Sequence, residues 1–137
     1  MNVFFDTNVL IYIHDQRFPY KRDIVRRIYL RHLYEKSIVI STQVLQEFYT
    51  ILTSKIKQVP PKQAEALTAQ LAELYVVSIQ PSHVLDAISL HSRHRLSFWD
   101  SLILVAAKTA DARLVLSEDL GHGQTYDGVR VENPFVT

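Results

Sequence analysis

The stretch Val3-Phe4-Phe5-Asp6-Thr7-Asn8-Val9-Leu10-Ile11-Tyr12 constrains the chain most. Three apolar β-formers run into a polar triplet, and a second apolar run starts at once. This reads as a short buried strand, a tight turn and a helix capped by Thr7 or Asn8. In an open parallel sheet the carboxyl ends of the strands form the ligand-binding edge. Asp6 would sit on that edge, beside a helix N-terminus, where a carboxylate can hold a metal ion. It can equally cap the helix or close an Asx-turn, a common use of Asp at such turns. The rest of the chain has to decide between these readings.

Further strand and helix signals alternate. Asp15 to Tyr20 is a polar break. Lys21 to Lys36 follows as a helix with Ile24, Val25, Ile28 and Leu33 on one broad face. It is basic: Lys21, Arg22, Arg26, Arg27, Arg31 and Lys36 stand against only Asp23 and Glu35. Ile38-Val39-Ile40 is a second strand. Ser41 or Thr42 caps a helix running to about Lys57, with Val44, Leu45, Phe48, Ile51 and Leu52 as its stripe and Glu47 on the border of that stripe. Pro60-Pro61 ends it, and Pro61 can open the next helix, over Lys62 to Leu74. Tyr75 to Ile79 is a third strand. A helix from Pro81-Ser82 carries Val84, Leu85, Ile88 and Leu90 and ends in the basic run His91-Ser92-Arg93-His94-Arg95. Ser97 opens the most apolar helix, Phe98 to about Ala110. Arg113 to Leu116 is a fourth strand, and Asp127-Gly128 is a turn before a last short one, Val129 to Val131. The alternation argues for an α/β sandwich with a mostly parallel sheet.

At 137 residues the chain is expected to form one domain, 1–137, with a single buried core. It has no cysteine, which excludes disulfides and thiolate metal sites. The longest plainly apolar run, Leu102 to Ala107, is too short to cross a membrane. The N-terminus lacks the basic lead-in of a signal peptide, so a cytoplasmic protein with no membrane partner is expected. Glycine is absent before Gly121, which leaves no glycine-rich phosphate loop.

Four acids share one kind of address. Asp6 follows the first strand, and Glu47 lies in the second turn of the helix after the second. Asp100 lies in the first turn of the apolar helix, and Asp119 follows the fourth strand just after Ser117. With right-handed crossovers, strand ends and helix starts collect at one edge. Like charges crowded there are costly unless a cation neutralises them. Oxygen ligands alone select hard ions such as Mg²⁺ or Mn²⁺, and four carboxylates could hold two of them roughly 4 Å apart. Each acid also has an ordinary reading: Glu47 as a solvated flank, Asp100 as part of a capping box with Ser97, Asp119 as a cap of a short turn.

The pieces Phe5-Asp6-Thr7-Asn8-Val9-Leu10, Gln46-Glu47-Phe48, Phe98-Trp99-Asp100-Ser101-Leu102-Ile103 and Leu116-Ser117-Glu118-Asp119-Leu120 resemble the PIN-domain family, in particular its VapC-like ribonuclease toxins. The tail from Gly123 to Phe135 is similar to that family's ending. The resemblance covers nearly the whole chain in order and spacing. It implies a three-layer α/β/α sandwich and Mg²⁺- or Mn²⁺-dependent RNA cleavage. It carries the metal-binding and catalytic quartet over to Asp6, Glu47, Asp100 and Asp119, with Asn8 and Ser117 as polar helpers. It also implies a small antitoxin partner and a homodimer.

Net charge is only +1, but with four acids on metal the rest carries 15 bases against 10 acids, which suits a phosphate backbone. Arg26 and Arg27, and Arg93 and Arg95, are the candidate RNA contacts, with a solvated helix face as the alternative. His122 is a candidate for substrate contact or proton donation, although a glycine-flanked surface histidine is more often neither. Phe4, Phe5, Phe48 and Trp99 read as core. Two other functions compete with a nuclease: an RNA-binding module whose acids hold a structural ion, and an aspartyl-phosphate phosphatase with Asp6 as nucleophile. The second usually wants an acid two residues on, where this chain has Asn8.

Overall fold

Val3, Phe4 and Phe5 are fully buried. They can be apolar at every position because β1 (Asn2–Phe5) is an interior strand covered on both faces. Residues 1–56 and 58–136 are described by the structure, a computed structural model. The other strands are β2 (Ile38–Ser41), β3 (Tyr75–Val77), β4 (Ala112–Leu116), β5 (Thr125–Tyr126) and β6 (Val129–Glu132). They form one sheet in the order β3-β2-β1-β4-β6-β5. All neighbours are parallel except β5 and β6. That last pair turns through Asp127 and Gly128, both at positive φ, as a two-residue hairpin of this twist requires.

The helices are α1 (Thr7–Tyr12), α2 (Pro19–Tyr34), α3 (Thr42–Lys55), α4 (Pro61–Leu71), α5 (Pro81–His94) and α6 (Phe98–Thr109). α1 packs on α2 and α3, and α3 on α4, while α5 and α6 pack on each other. Right-handed crossovers put these two groups on opposite faces of the sheet. The result is the expected three-layer α/β/α sandwich.

The parallel register aligns the carboxyl ends of the central strands. Phe5 pairs with Leu116, Leu116 with Glu132, and Ser41 with Val77. The edge beyond them is where α1, α3 and the segment after β4 begin.

Several expectations change in detail. The cap of α1 is neither Thr7 nor Asn8 but Asp6, whose carboxylate accepts from the Thr7 N–H at 2.7 Å; Thr7 is already helical. Ser41, one of the two candidates, caps α3 by accepting from the Val44 N–H. α3 ends at Lys55, and Lys57 lies outside the described residues. On α2, Leu33 is exposed; His32 takes the inner position with Val25, since its ring packs edge-to-face on Phe5 and reaches Ser37 at 2.8 Å. On α5, Leu85 and Ile88 are exposed, and the buried face is Ala87 and Leu90.

Trp99 departs furthest from expectation. It is 63% exposed, not core. By spacing it shares a stripe with Leu102 and Ile103, but the first turn of α6 stands at the sheet edge, with less to pack against.

Candidate functional site

β1 delivers Asp6 to the edge, and the local hydrogen bonds dictate its orientation. One carboxylate oxygen caps α1. The other accepts the Ser117 hydroxyl at 2.8 Å, in a contact where both residues are buried. Ser117 reaches Asp6 because β4 lies beside β1, and the Asp6 N–H itself donates to the Leu116 carbonyl at 3.0 Å. Capping and site geometry are thus two uses of one carboxylate.

Asn8, in the first turn of α1, joins the next acid to this pair. Its amide nitrogen donates to Asp119 at 3.0 Å and lies 3.4 Å from both Asp6 and Ser117. Its amide oxygen accepts the Glu118 N–H at 3.2 Å, and the Ser117 hydroxyl accepts the Asp119 N–H at 3.2 Å. Both expected polar helpers therefore tie the segment after β4 to the start of α1.

Glu47 and Asp100 approach from the helices. The Thr7 hydroxyl lies 3.5 Å from Glu47. Ser97 caps α6 by accepting the Asp100 N–H at 3.0 Å, so the Ser97 half of the expected capping box is present. The buried Gln43 amide, on the same helix as Glu47, donates to the Trp99 carbonyl at 3.2 Å and so ties α3 to the start of α6.

The electrostatics are those of acids kept from water without counter-charge. Burial pushes the Asp6 carboxyl from its usual 3.8 up to about 6, against the hydrogen bonds from Ser117 and Thr7; the charges of Glu47 and Asp100 add to the rise. Burial also raises Glu47, against Gln43 and Thr7, and Asp100 contributes to that rise. Burial raises Asp100 against the Ser97 hydrogen bond, and Asp119 contributes. Among the described residues none of the four acids is in an ion pair.

The arrangement stops short of a coordination shell. Among the described residues no three His, Asp or Glu side chains gather into a group that could hold a metal ion as they stand. Asp6 and Asp119 are linked through Ser117 and Asn8, whereas Glu47 and Asp100 are electrostatic neighbours. By donor chemistry the four suit a hard divalent ion, since every side-chain ligand atom is oxygen and, among the described residues, no basic side chain pairs with them.

The basic candidates separate. Arg93 is committed to a two-pronged ion pair with Asp127 at 2.9 and 3.1 Å. Arg95 is exposed and takes the left-handed backbone conformation that ends α5. Arg26 is exposed and donates to the Ile13 carbonyl at 3.0 Å; Arg27 is exposed. His122 is exposed, and its Nδ1 accepts the Asn133 N–H at 3.0 Å, which ties it to the C-terminal tail.

Sequence reasoning missed Gln43 and Thr7 as parts of this framework, and Lys21 as a partner of Glu118. Their contacts lie across helices, where spacing carries no signal.

Comparison with known proteins agrees with the fold. The family model described as PIN domain matches residues 3–127. Among solved structures, the VapC20 toxin of Mycobacterium tuberculosis, described as cleaving the sarcin-ricin loop, superposes with a TM-score of 0.68 at 16% identity, covering 86% of this chain and 90% of its own. VapBC2 of Rickettsia felis, bound to a fragment of its promoter DNA, gives 0.72 at 17% identity over 97% and 98%. A toxin–antitoxin complex from Klebsiella pneumoniae gives 0.69 at 16% identity over 98% of both chains. At such identities the likeness is one of fold. A comparison with curated proteins returns no match.

Proposed function

The chain belongs to the PIN-domain family, and from that premise we propose that it is a metal-dependent endoribonuclease, the toxin of a toxin–antitoxin pair. One observation supports this above the others. Asp6 is buried, held by Ser117 and Thr7, linked through Asn8 to Asp119, and has no basic partner among the described residues. A fold that only needed a cap at that position would have no use for a second buried donor aimed at the same carboxylate.

In this reading Asp6, Glu47, Asp100 and Asp119 hold Mg²⁺ or Mn²⁺. A bound ion would supply the positive charge that activates a water and stabilises the oxygen leaving the phosphodiester. The protein's own groups prepare the site. Ser117 and the Thr7 N–H fix both oxygens of Asp6, and Asn8 sets Asp119 relative to it. Gln43 ties the helix of Glu47 to that of Asp100. RNA is the substrate, and the neighbours' association with antitoxins supports a small antitoxin as partner. The whole chain, 1–137, acts as one PIN-like domain, as a homodimer in the cytoplasm. No helix among the described residues is long and apolar enough to cross a membrane.

The test is cleavage of single-stranded RNA by purified protein with Mg²⁺ or Mn²⁺, abolished by EDTA and absent in Asp6→Asn. Equal cleavage in excess EDTA would overturn the metal-dependent reading. RNA binding with no cleavage under either ion would favour the alternative, an RNA-binding module with a structural ion.

A further inference from the structure

An acid-lined edge repels the phosphates it is meant to act on, so binding energy for RNA must come from its surroundings. One of the cations expected to supply it, Arg93, is paired with Asp127, and Lys21 on the basic helix α2 is paired with Glu118. Trp99 stands directly before Asp100 and is 63% exposed. A single exposed apolar residue is ordinary on a protein surface. Trp99 differs in how it is held. Its ring packs edge-to-face on Phe98, with centroids 5.1 Å apart and planes at 77°. Its carbonyl is anchored by the buried Gln43 amide, from the helix that carries Glu47. An edge-to-face contact covers at most one face of the indole, and the exposure of Trp99 leaves the other open to solvent. An aromatic face open to solvent next in the chain to one of the four acids is what a single-stranded base needs for sequence-tolerant stacking.

We propose that Trp99 is a base-stacking platform, and that the open face of its indole holds an unpaired nucleobase of the RNA next to the phosphate that is cut. This rests on the nuclease reading above and adds to it a base contact, which needs the base unpaired at the site because a base inside a duplex has no free face to offer. Stacking involves no phosphate contact, so it contributes affinity without salt dependence.

Trp99 is the only tryptophan in the chain, which makes its emission a direct readout. The experiment uses full-length protein, a single-stranded oligouridine and an RNA duplex of equal length. Single-stranded RNA is expected to quench the emission on binding, and the duplex is not. Trp99→Ala should raise KM roughly 5- to 150-fold with kcat little changed. Trp99→Phe should recover most of that loss, and the slope of log Kd against log salt should stay the same in both variants. Unquenched emission in the RNA-bound protein, or an unchanged KM in Trp99→Ala beside active parent protein, overturns the platform and leaves the nuclease reading standing. Parent protein that neither binds nor cleaves RNA removes both. A fall of Trp99→Ala from dimer to monomer in gel filtration, with KM restored at high protein concentration, would assign the ring to self-association instead.

Discussion

Glu118 and Asp119 are neighbours in the chain but belong to opposite electrostatic environments. Glu118 turns to Lys21, whose ammonium lies within 5.8 Å of the ring centres of Tyr12, Phe18 and Phe135, and it also accepts the Tyr12 hydroxyl at 2.7 Å. Burial pushes its carboxyl up, but Lys21 and Tyr12 outweigh that and hold it below the usual range. Asp127 is similar: the hydrogen-bonded guanidinium of Arg93 draws it down. Asp119 turns to Asn8 and joins a group with no ion-paired cation among the described residues, in which Asp6, Glu47 and Asp100 are all pushed up. The paired acids fasten loops to helices. The unpaired ones hold electrostatic strain that folding alone does not relieve, and such strain concentrates at functional sites. The contrast makes predictions with opposite signs for the two groups.

The largest effect expected is on cleavage. Asp6→Asn or Asp119→Asn should lower the rate roughly 100- to 10,000-fold, whereas Glu118→Gln should leave most activity. Equal losses in a single-turnover assay would erase the distinction between the two groups.

Next comes stability against pH in metal-free protein. A folded-state value of about 6 for Asp6 against 3.8 unfolded corresponds to a cost of about 3 kcal/mol when the carboxylate is charged. The protonated form is the one that folding favours. The benefit is therefore complete below pH 3.8 and lost as pH rises through about 6. In EDTA, Asp6→Asn should melt above the parent at pH 8, and the advantage should shrink through pH 6 and vanish near pH 4. His14 and His32, whose rings are both pushed down chiefly by burial, are common to both proteins and cancel in the difference. An advantage independent of pH would show that Asp6 carries no such strain.

A smaller effect sharpens the sign. Glu118→Gln should lose about 1 kcal/mol by leaving Lys21 unpaired. Asp100→Asn should melt no lower than the parent without metal, and its stabilisation by Mg²⁺ should be reduced. Chemical denaturation of both variants with and without Mg²⁺ decides this. An Asp100→Asn variant that melts lower yet keeps its full Mg²⁺ response would make Asp100 only a first-turn residue of α6.

The smallest effects concern the bases. Arg93→Ala should lower stability only slightly, through loss of the exposed Asp127 pair, and leave the salt dependence of RNA binding nearly intact. Arg26 and Arg27 changed together to Ala should lower that slope by about 2. The reverse result would move the RNA path from α2 to α5.

Much of this molecule was legible in the chain because the signals were local. An uninterrupted apolar triplet before Asp6, caps at Ser41 and Ser97, Pro61 at a helix start and Asp127-Gly128 at a turn each act over a few residues, so spacing alone places the elements and their order. The addresses of the four acids followed from that order together with the handedness of parallel crossovers.

What the sequence could not determine depends on which surfaces meet. Periodicity says that a helix has an apolar stripe, but not how far the sheet extends beneath it. That is why Trp99 is exposed and Leu33 gives way to His32. Composition counts the cations, but only packing assigns Lys21 to Glu118 and Arg93 to Asp127 and leaves Asp6 with none among the described residues. Pairing depends on separations of a few ångströms between residues as far apart in the chain as 6 and 117, and those separations exist only once the sheet has brought β1 and β4 together.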